Sequence, residues 1–379
     1  MRLTTAGESH GKALVAIIEG LPAHLPIDLE KINDELALRQ SGFGRGARQK
    51  IEKDKAEILT GVRNGETLGS PVTLCIYNKD YANWSNCMSD GVCDTEVMKK
   101  KQLTKVRPGH ADLTGVIKFA QTDARNILER ASARETAIRV AAGGVYKQYL
   151  SALGIEIGGC VRAVCGVEDN GNYSFEELKN SKTTQVGMLD EQASALAVEK
   201  ITEIKKAGDT AGGIVEIRVK GLKSGFGSMM TYAEKLDARL AQGLMSIQAI
   251  KGVEVGKGFA VANESGKSVH DEIFVNEQGG YYRNTNRAGG IEGGMSNGEE
   301  IVLKVAMKPI PTLMKGLQTF DYITGEKATA ASERSDVCAI FALEIIAEAV
   351  VAEVLATVVA NRLGGDTLQE MIKRYNRLP

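Results

Sequence analysis

Glycine, set in doublets between apolar runs, constrains this chain more than any other feature. Forty-two of its 379 residues are glycine, about 11% against roughly 7% in an average protein. The excess has neither a collagen-like period nor linker character. It recurs as Gly143-Gly144, Gly158-Gly159, Gly212-Gly213, Gly279-Gly280, Gly289-Gly290 and Gly293-Gly294. Glycine supplies positive φ and close backbone approach, so such doublets predict many tight turns in a β-rich chain. Aromatic residues are only 5% of the chain, which leaves Ala, Val, Ile and Leu to build the core. Basic residues number 47 and acidic residues 48, a net charge of −1. That balance lacks the cation surplus a general nucleic-acid binder turns toward phosphate. Hydrophobic residues at 43% and charged residues at 25% exclude disorder and a membrane protein.

Helical periodicity predicts four helices. One runs from Asp28 to Gln40, with Asp28 as cap after Pro26. A long one covers Asp123 to Leu153 and closes at Gly154; on it Arg125 and Glu129 pair at i,i+4, and Arg130 and Arg134 share a face. A third spans Tyr232 to Met245. The fourth starts near Asp336, and within it Cys338 to Ala360 carries Glu344, Glu348 and Glu353 at helical spacing beside an apolar face. Those carboxylates make it a core-packing helix rather than a membrane span. β-Branched runs bounded by glycine or proline predict strands at Leu14–Glu19, Val72–Tyr77, Ile155–Val164, Gly213–Val219, Gly252–Val261 and Glu300–Met307. The order is mixed, with no βαβ rhythm, so the expected class is α+β or layered. Polar stretches at Asn83–Lys101 and Gly166–Ser181 read as surface excursions. Neither resembles a linker, which leaves one domain over residues 1–379. Ser41-Gly42-Phe43-Gly44 recurs as Ser224-Gly225-Phe226-Gly227, by duplication or by coincidence.

Nucleotide motifs fail. Gly266-Lys267-Ser268 has Val261 where a P-loop needs its first glycine, and Gly42-Phe43-Gly44-Arg45-Gly46 has the wrong spacing for a dinucleotide fingerprint. The six cysteines at 75, 87, 93, 160, 165 and 338 form no CxxC pair and match no zinc spacing. No metal site is expected, and reduced thiols in a cytoplasmic enzyme are. Met1-Arg2-Leu3-Thr4-Thr5 runs into Gly7-Glu8-Ser9-His10 without a signal-like apolar region, the same expectation.

Arginine fills the gap. Arg39, Arg45 and Arg48 fall within ten residues, two of them on a glycine-rich loop; Arg107, Arg130, Arg134 and Arg334 add to the set. Guanidinium forks suit phosphate and carboxylate, so the set points to a concentrated anionic ligand. Of four histidines, His24 and His270 read as structural or exposed. His10 and His110 sit in small-residue turns beside polar groups, either as proton carriers or as satisfied turn residues.

These residues resemble the chorismate synthase family. The matching runs are Gly7-Glu8-Ser9-His10-Gly11, Arg39-Gln40 with Gly44-Arg45-Gly46, Arg107-Pro108-Gly109-His110-Ala111-Asp112, and Ala133-Arg134-Glu135-Thr136-Ala137. They continue, in family order, through Ala249-Ile250-Lys251-Gly252-Val253-Glu254, Gly289-Gly290-Ile291-Glu292-Gly293-Gly294, Ser296-Asn297-Gly298, Lys308-Pro309, and Arg334 with Asp336. Two departures stand out. The family's usual Arg-Ser-Ser-Ala-Arg-Glu-Thr has Ala131 for its first serine, and Arg-His-Asp-Pro-Cys reads Arg334-Ser335-Asp336-Val337-Cys338.

The resemblance implies a β-α-β sandwich assembled as a homotetramer. It also implies a redox-neutral 1,4-anti elimination of phosphate from 5-enolpyruvylshikimate 3-phosphate that requires reduced FMN. His110 would protonate the leaving phosphate, His10 would hold a proton by the flavin N1 region, and Asp336 would act near N5. Ser9, Arg39, Arg45, Arg48, Arg134 and Arg334 would bind substrate or cofactor anions, with Arg39 and Arg45 also tied to NADPH. Arg130, Ala131, Ser132, Gln248, Ala249, Gly293, Lys308, Pro309, Ile310, Pro311 and Thr312 would hold FMN. Two other classes share the anion site: a flavin oxidoreductase that consumes its reductant, and a phosphate-ligand binding protein without catalysis.

Overall fold

The computed structural model describes residues 1–46, 51–331 and 335–379. Two antiparallel sheets enclose a layer of helices. The first contains β1 (Arg2–Ala6), β2 (Ala13–Glu19), β3 (Glu57–Thr60) and β4 (Val72–Tyr77), in the order β1-β2-β4-β3. The second contains β5 (Glu156–Val164), β6 (Gly213–Lys220), β7 (Ile250–Val255) and β8 (Ile301–Met307), in the order β7-β8-β6-β5, with the short strand Val167–Glu168 beyond β5. The helices are α1 (Leu29–Gln40), α2 (Arg125–Ala131), α3 (Thr136–Ser151), α4 (Glu191–Ala207), α5 (Leu236–Met245), α6 (Ile340–Leu363) and α7 (Leu368–Asn376). α3 packs on β2 and β4, α6 packs on β5 and β6, and the two helices pack on each other with α1 against both. The result is the layered sheet–helix–sheet sandwich that the resemblance implies. One apolar cluster runs through it from Leu14 and Leu74 to Val215 and Leu303.

Local chemistry accounts for most elements. β8 alternates buried and half-buried residues along its whole length, the period of a strand with one face on the core. Asp28 caps α1, its carboxylate accepting from the Glu30 and Lys31 amides. The Gly143-Gly144 doublet is not a turn: it lies inside α3, where a Cβ on Gly143 would come 2.3 Å from the Ala349 Cβ on α6. Glycine there brings the two central helices together. Gly143→Ala is expected to lower unfolding free energy by about 1–3 kcal/mol through overpacking, read from urea melts. Gly289-Gly290 does behave as a turn, with φ of +65° and +77°.

Several sequence expectations are corrected. The helix expected over Asp123–Leu153 breaks at Ser132, whose backbone is extended and whose hydroxyl accepts from the Arg134 amide at 3.2 Å. A serine that bonds its own backbone favours a cap over a helix interior. Arg130 and Arg134 therefore share no face. The strand expected to reach Val261 stops at Val255, where Gly256 and Gly258 take positive φ. The last long helix begins at Ile340 because the backbone before it is tied elsewhere: Val337 donates to the Gly44 carbonyl and accepts from the Ala211 amide, and Cys338 bridges Ala211. Tyr232–Glu234 is a separate 3-10 turn before α5. Neither polar stretch is purely superficial: Trp84 is buried in one, and Asp169, Phe175, Leu178 and Ser181 in the other. Glu344 and Glu348 lie not on a solvated face but inside the core, with Lys182 and Lys147. Both copies of Ser-Gly-Phe-Gly place their two glycines at positive φ, between +87° and +95°.

Candidate active site

The glycine-rich turn after β1 carries Ser9 and His10. Its backbone is held by α2: the Ser9 amide donates to the Glu129 carbonyl at 2.9 Å, and the His10 amide to Glu129 Oε2 at 2.7 Å. Glu129 Oε1 also lies 2.9 Å from His10 Nδ1. A carboxylate on Nδ1 fixes ring orientation and tautomer. The imidazole stacks on Trp84 with centroids 4.0 Å apart, while Lys101 Nζ lies 3.9 Å and the Arg125 guanidinium 5.2 Å from the same indole. Asn78 joins this turn to the arginines, donating through Nδ2 to the Gly11 carbonyl at 2.7 Å and accepting at Oδ1 from Arg134 Nε at 3.0 Å.

Arg134 and Arg39 converge on one buried carboxylate. Arg134 Nη1 donates to Asp54 Oδ2 at 2.6 Å, and Arg39 Nη1 lies 3.7 Å from the same oxygen. Arg39, at the end of α1, is turned inward, donating to Thr136 Oγ1 and the Ala133 carbonyl. Burial first, then the Arg45 and Arg134 charges, holds Arg39 below its usual value, with Asp54 opposing. Crowded cations of this kind call for an anion. Arg45 sits 3.2 Å from Asp336 through Nε, and Asp336 Oδ1 accepts from the Gly46 amide at 2.6 Å. Arg45 Nη1 and Arg134 Nη2 are buried and make no hydrogen bond among the described residues. Arg48 and Arg334 lie outside the described residues.

The second histidine has its own support. His110 Nδ1 lies 2.6 Å from Asp112 Oδ1, and Arg107 grips Asp112 in a fork, Nε to Oδ2 at 2.8 Å and Nη2 to Oδ1 at 2.9 Å. Asp112 is fully buried. Burial would raise its carboxyl, but hydrogen bonds from His110 and Arg107, then their charges, hold it well below the usual carboxylate range. Arg107 Nη1 donates to Thr312 Oγ1 at 3.0 Å, and Lys308 Nζ to the Gly109 carbonyl at 2.5 Å.

A chain of contacts connects the two histidine turns. Arg130 donates to the Gly7 and Thr5 carbonyls and lies 3.9 Å from Glu135. Glu135 accepts from Gln248 Nε2 at 3.4 Å, and the Ala249 carbonyl accepts from the Lys308 amide at 3.0 Å. Gln248, Ala249, Lys308 and Thr312 thus lie along the contacts between the His10 and His110 turns, while Ser132 caps the turn between Arg130 and Arg134. Pro309, Ile310 and Pro311 follow Lys308 on the same segment, Ile310 accepting from Thr210 Oγ1 at 2.7 Å. Gln248 Oε1 is buried without a hydrogen-bond partner among the described residues, and Ala249 takes a φ of +68°. A Cβ on Gly293 would meet only the Met295 Cε at 3.9 Å. His24 and His270 are both exposed, as expected.

The sequence gives Asp54, Asp112 and Trp84 no site role, and Glu129 only the helical pairing with Arg125. Asp112 alone carried a local signal, two residues from His110 in the same turn. Among the described residues, no His/Cys/Asp/Glu group could hold a metal, and no helix is long and apolar enough to cross a membrane.

Comparison with known proteins identifies the family. The chorismate synthase family model matches residues 1–360. The chain is 51% identical over 375 residues to the chorismate synthase of Alkaliphilus metalliredigens, covering 99% of this chain and 98% of that one. It is 51% identical over 384 residues to that of Geobacter sulfurreducens, covering 99% and 97%. A crystal structure of a chorismate synthase superposes with a TM-score of 0.79 at 40% identity, covering 99% of this chain and 96% of that one. The chain therefore belongs to the chorismate synthase family, lyases that eliminate phosphate from 5-enolpyruvylshikimate 3-phosphate to give chorismate, the final step of the shikimate pathway.

Proposed function

We propose that His110 protonates the departing phosphate and that Asp112, clamped by Arg107, holds its ring for the transfer. One observation carries the reading of an anion site: among the described residues, the buried Arg45 Nη1 and Arg134 Nη2 make no hydrogen bond, the latter having Glu52 Oε2 only at 3.7 Å, and they stand beside two carboxylate-oriented histidines. A buried donor left unmatched is costly, and a substrate phosphate or carboxylate would satisfy it. Ser9, Arg45, Arg134 and the undescribed Arg48 and Arg334 bind substrate anions in this reading. Arg39 supports them through Asp54.

The flavin of this reading is FMN. Its residues are Arg130, Ala131, Ser132, Gln248, Ala249, Gly293 and the Lys308–Thr312 segment. The unpartnered Gln248 Oε1, the open side of Gly293 and the half-exposed Arg130 guanidinium fit a planar polar ring with an anionic tail. When bound by these residues, reduced FMN would supply electron density to the substrate ring, with no net redox change. His10 holds a proton on the N1 side of the ring, oriented by Glu129 and Trp84. Asp336 serves N5, and its present contacts with Gly46 and Arg45 tie that role to the arginine loop. NADPH, met by Arg39 and Arg45, is the proposed reductant. A single domain over 1–379, a homotetramer, which light scattering would test, and a cytoplasmic location complete the proposal.

Arg45→Lys and Arg134→Lys keep the charge and lose the fork. Each is expected to weaken substrate binding by about 1–3 kcal/mol, measured by equilibrium titration with the flavin present. Unchanged affinity in both variants would move the anion site elsewhere.

A further inference from the structure

Two cysteines outside the catalytic set sit on the segment that backs His10. Cys87 and Cys93 bracket a short turn closed by the Asp94 amide donating to the Asn86 carbonyl at 2.9 Å. That bond lies one residue outside the pair on each side. A hydrogen bond between the two flanking peptide groups keeps the Cys87 and Cys93 backbones close, as a disulfide, whose Cα atoms lie roughly 4.4–6.8 Å apart, requires. Both thiols are partly accessible, whereas Cys75, Cys160 and Cys338 are buried. Each has a polar tether: Cys87 Sγ donates to the Trp84 carbonyl at 3.4 Å, and Cys93 Sγ lies 3.6 Å from Ser89 Oγ. Lys101 and Arg125 face Cys87 and favour its thiolate, although burial, the larger effect, raises the thiol, with Cys93 and Glu129 acting in the same direction.

The segment's position gives the pair a consequence. The carbonyl that accepts from Cys87 belongs to Trp84, the indole stacked on His10 at 4.0 Å. Oxidising Cys87 removes that hydrogen bond, because a disulfide sulfur has no proton to donate to the Trp84 carbonyl.

We propose that Cys87 and Cys93 form a reversible redox modification site, oxidised by a low-molecular-weight disulfide, whose closure shifts Trp84 against His10. In the exchange, the Cys93 thiolate attacks glutathione disulfide, forming a mixed disulfide and releasing one glutathione thiolate. Cys87 then attacks the Cys93 sulfur and releases the second, which takes up the Cys87 proton. The protein loses two thiol hydrogens and two electrons; glutathione disulfide is reduced to two glutathione molecules. The site stands independently of the roles given to His10 and His110.

The chain supplies its own reporter, because Trp84 is its only tryptophan. Both cysteines also fall in one tryptic peptide, Asp80–Lys99. The full-length protein is equilibrated in buffers of rising glutathione-disulfide ratio, then alkylated, digested and weighed, with Trp84 emission followed in parallel. The expected result is loss of both alkylation sites, a peptide lighter by two hydrogens, and an emission change with the same midpoint, reversed by dithiothreitol. Cys93→Ser should abolish both signals while leaving the unoxidised emission unchanged. Glutathione attached to the exposed Cys165 alone, with Cys87 and Cys93 still alkylated, would overturn the site. A disulfide without an emission change would overturn its link to Trp84.

Discussion

His110→Ala slows phosphate release by roughly 10²- to 10⁴-fold, the expected loss for a positioned general acid. The structure says why the effect should fall on turnover rather than on binding. Asp112 takes His110 Nδ1 at 2.6 Å, and Arg107 fixes Asp112 with two hydrogen bonds. An imidazole held this firmly is oriented for one proton transfer, and the Arg107–Asp112 pair survives its removal. Thermal unfolding should therefore change little. His10→Ala should also slow turnover, with a modest loss of stability, because Glu129 and Trp84 lose a partner. The exposed His24 and His270 give the control: alanine at either should leave steady-state rates near wild type. Equal effects at all four positions would remove the assignment.

Lys182→Met has the largest expected effect on stability, and that effect depends on pH. Glu344 and Glu348 face each other one turn apart inside α6. Lys182 reaches both, lying 2.6 Å from Glu348 Oε1 and in direct contact with Glu344 Oε1. Lys147 covers the other Glu348 oxygen at 2.7 Å and also reaches Glu35. Burial pushes Glu344 up to about 7, with Lys182 opposing and Glu348 adding to the rise. A carboxyl raised above its unfolded value near 4.5 holds its proton more tightly in the folded state. Its contribution to stability is thus full below about 4.5 and lost as pH rises through about 7. Above that, two buried carboxylates depend on the ammonium. Removing one partner of a buried ion pair costs about 3–5 kcal/mol. Urea unfolding should show a loss of that size at pH 8 and a much smaller one at pH 5, where Glu344 is neutral. An equal loss at both values would mean that Lys182 contributes packing and not charge.

The parts of this molecule legible in its sequence are those governed by local chemistry. Val72–Tyr77 begins and ends where its β-branched run does, and the Asp28 cap holds α1 as read. α4 was missed although its signals are local: Asp190 caps it, Gly208 closes it at a φ of +74°, and Ala193, Ala197 and Ile201 mark its buried stripe. Other features were out of reach because their causes are distant in sequence. Glu129 meets His10 across 119 positions, and Asp54 meets Arg134 across 80. Only the packed sandwich puts those carboxylates beside the arginines and histidines. The same holds for Glu344 and Glu348, which look like a solvated face until Lys182 and Lys147 arrive from other elements. Gly143-Gly144 falls inside the helix expected over Asp123–Leu153, but the reason for two glycines there is a helix crossing, which leaves no local mark in the sequence. The resemblance named the arginine and histidine set; the structure supplied the carboxylates that hold it.

The flavin stoichiometry tests the central claim most directly. The enzyme is incubated anaerobically with 5-enolpyruvylshikimate 3-phosphate and chemically reduced FMN, while phosphate and the flavin spectrum are followed together. An elimination catalyst should release many phosphates per FMN with the flavin still reduced, and none when FMN is supplied oxidised. One flavin oxidised for each phosphate formed would contradict the account, since it describes an oxidoreductase; phosphate release with oxidised FMN would remove the flavin from the mechanism.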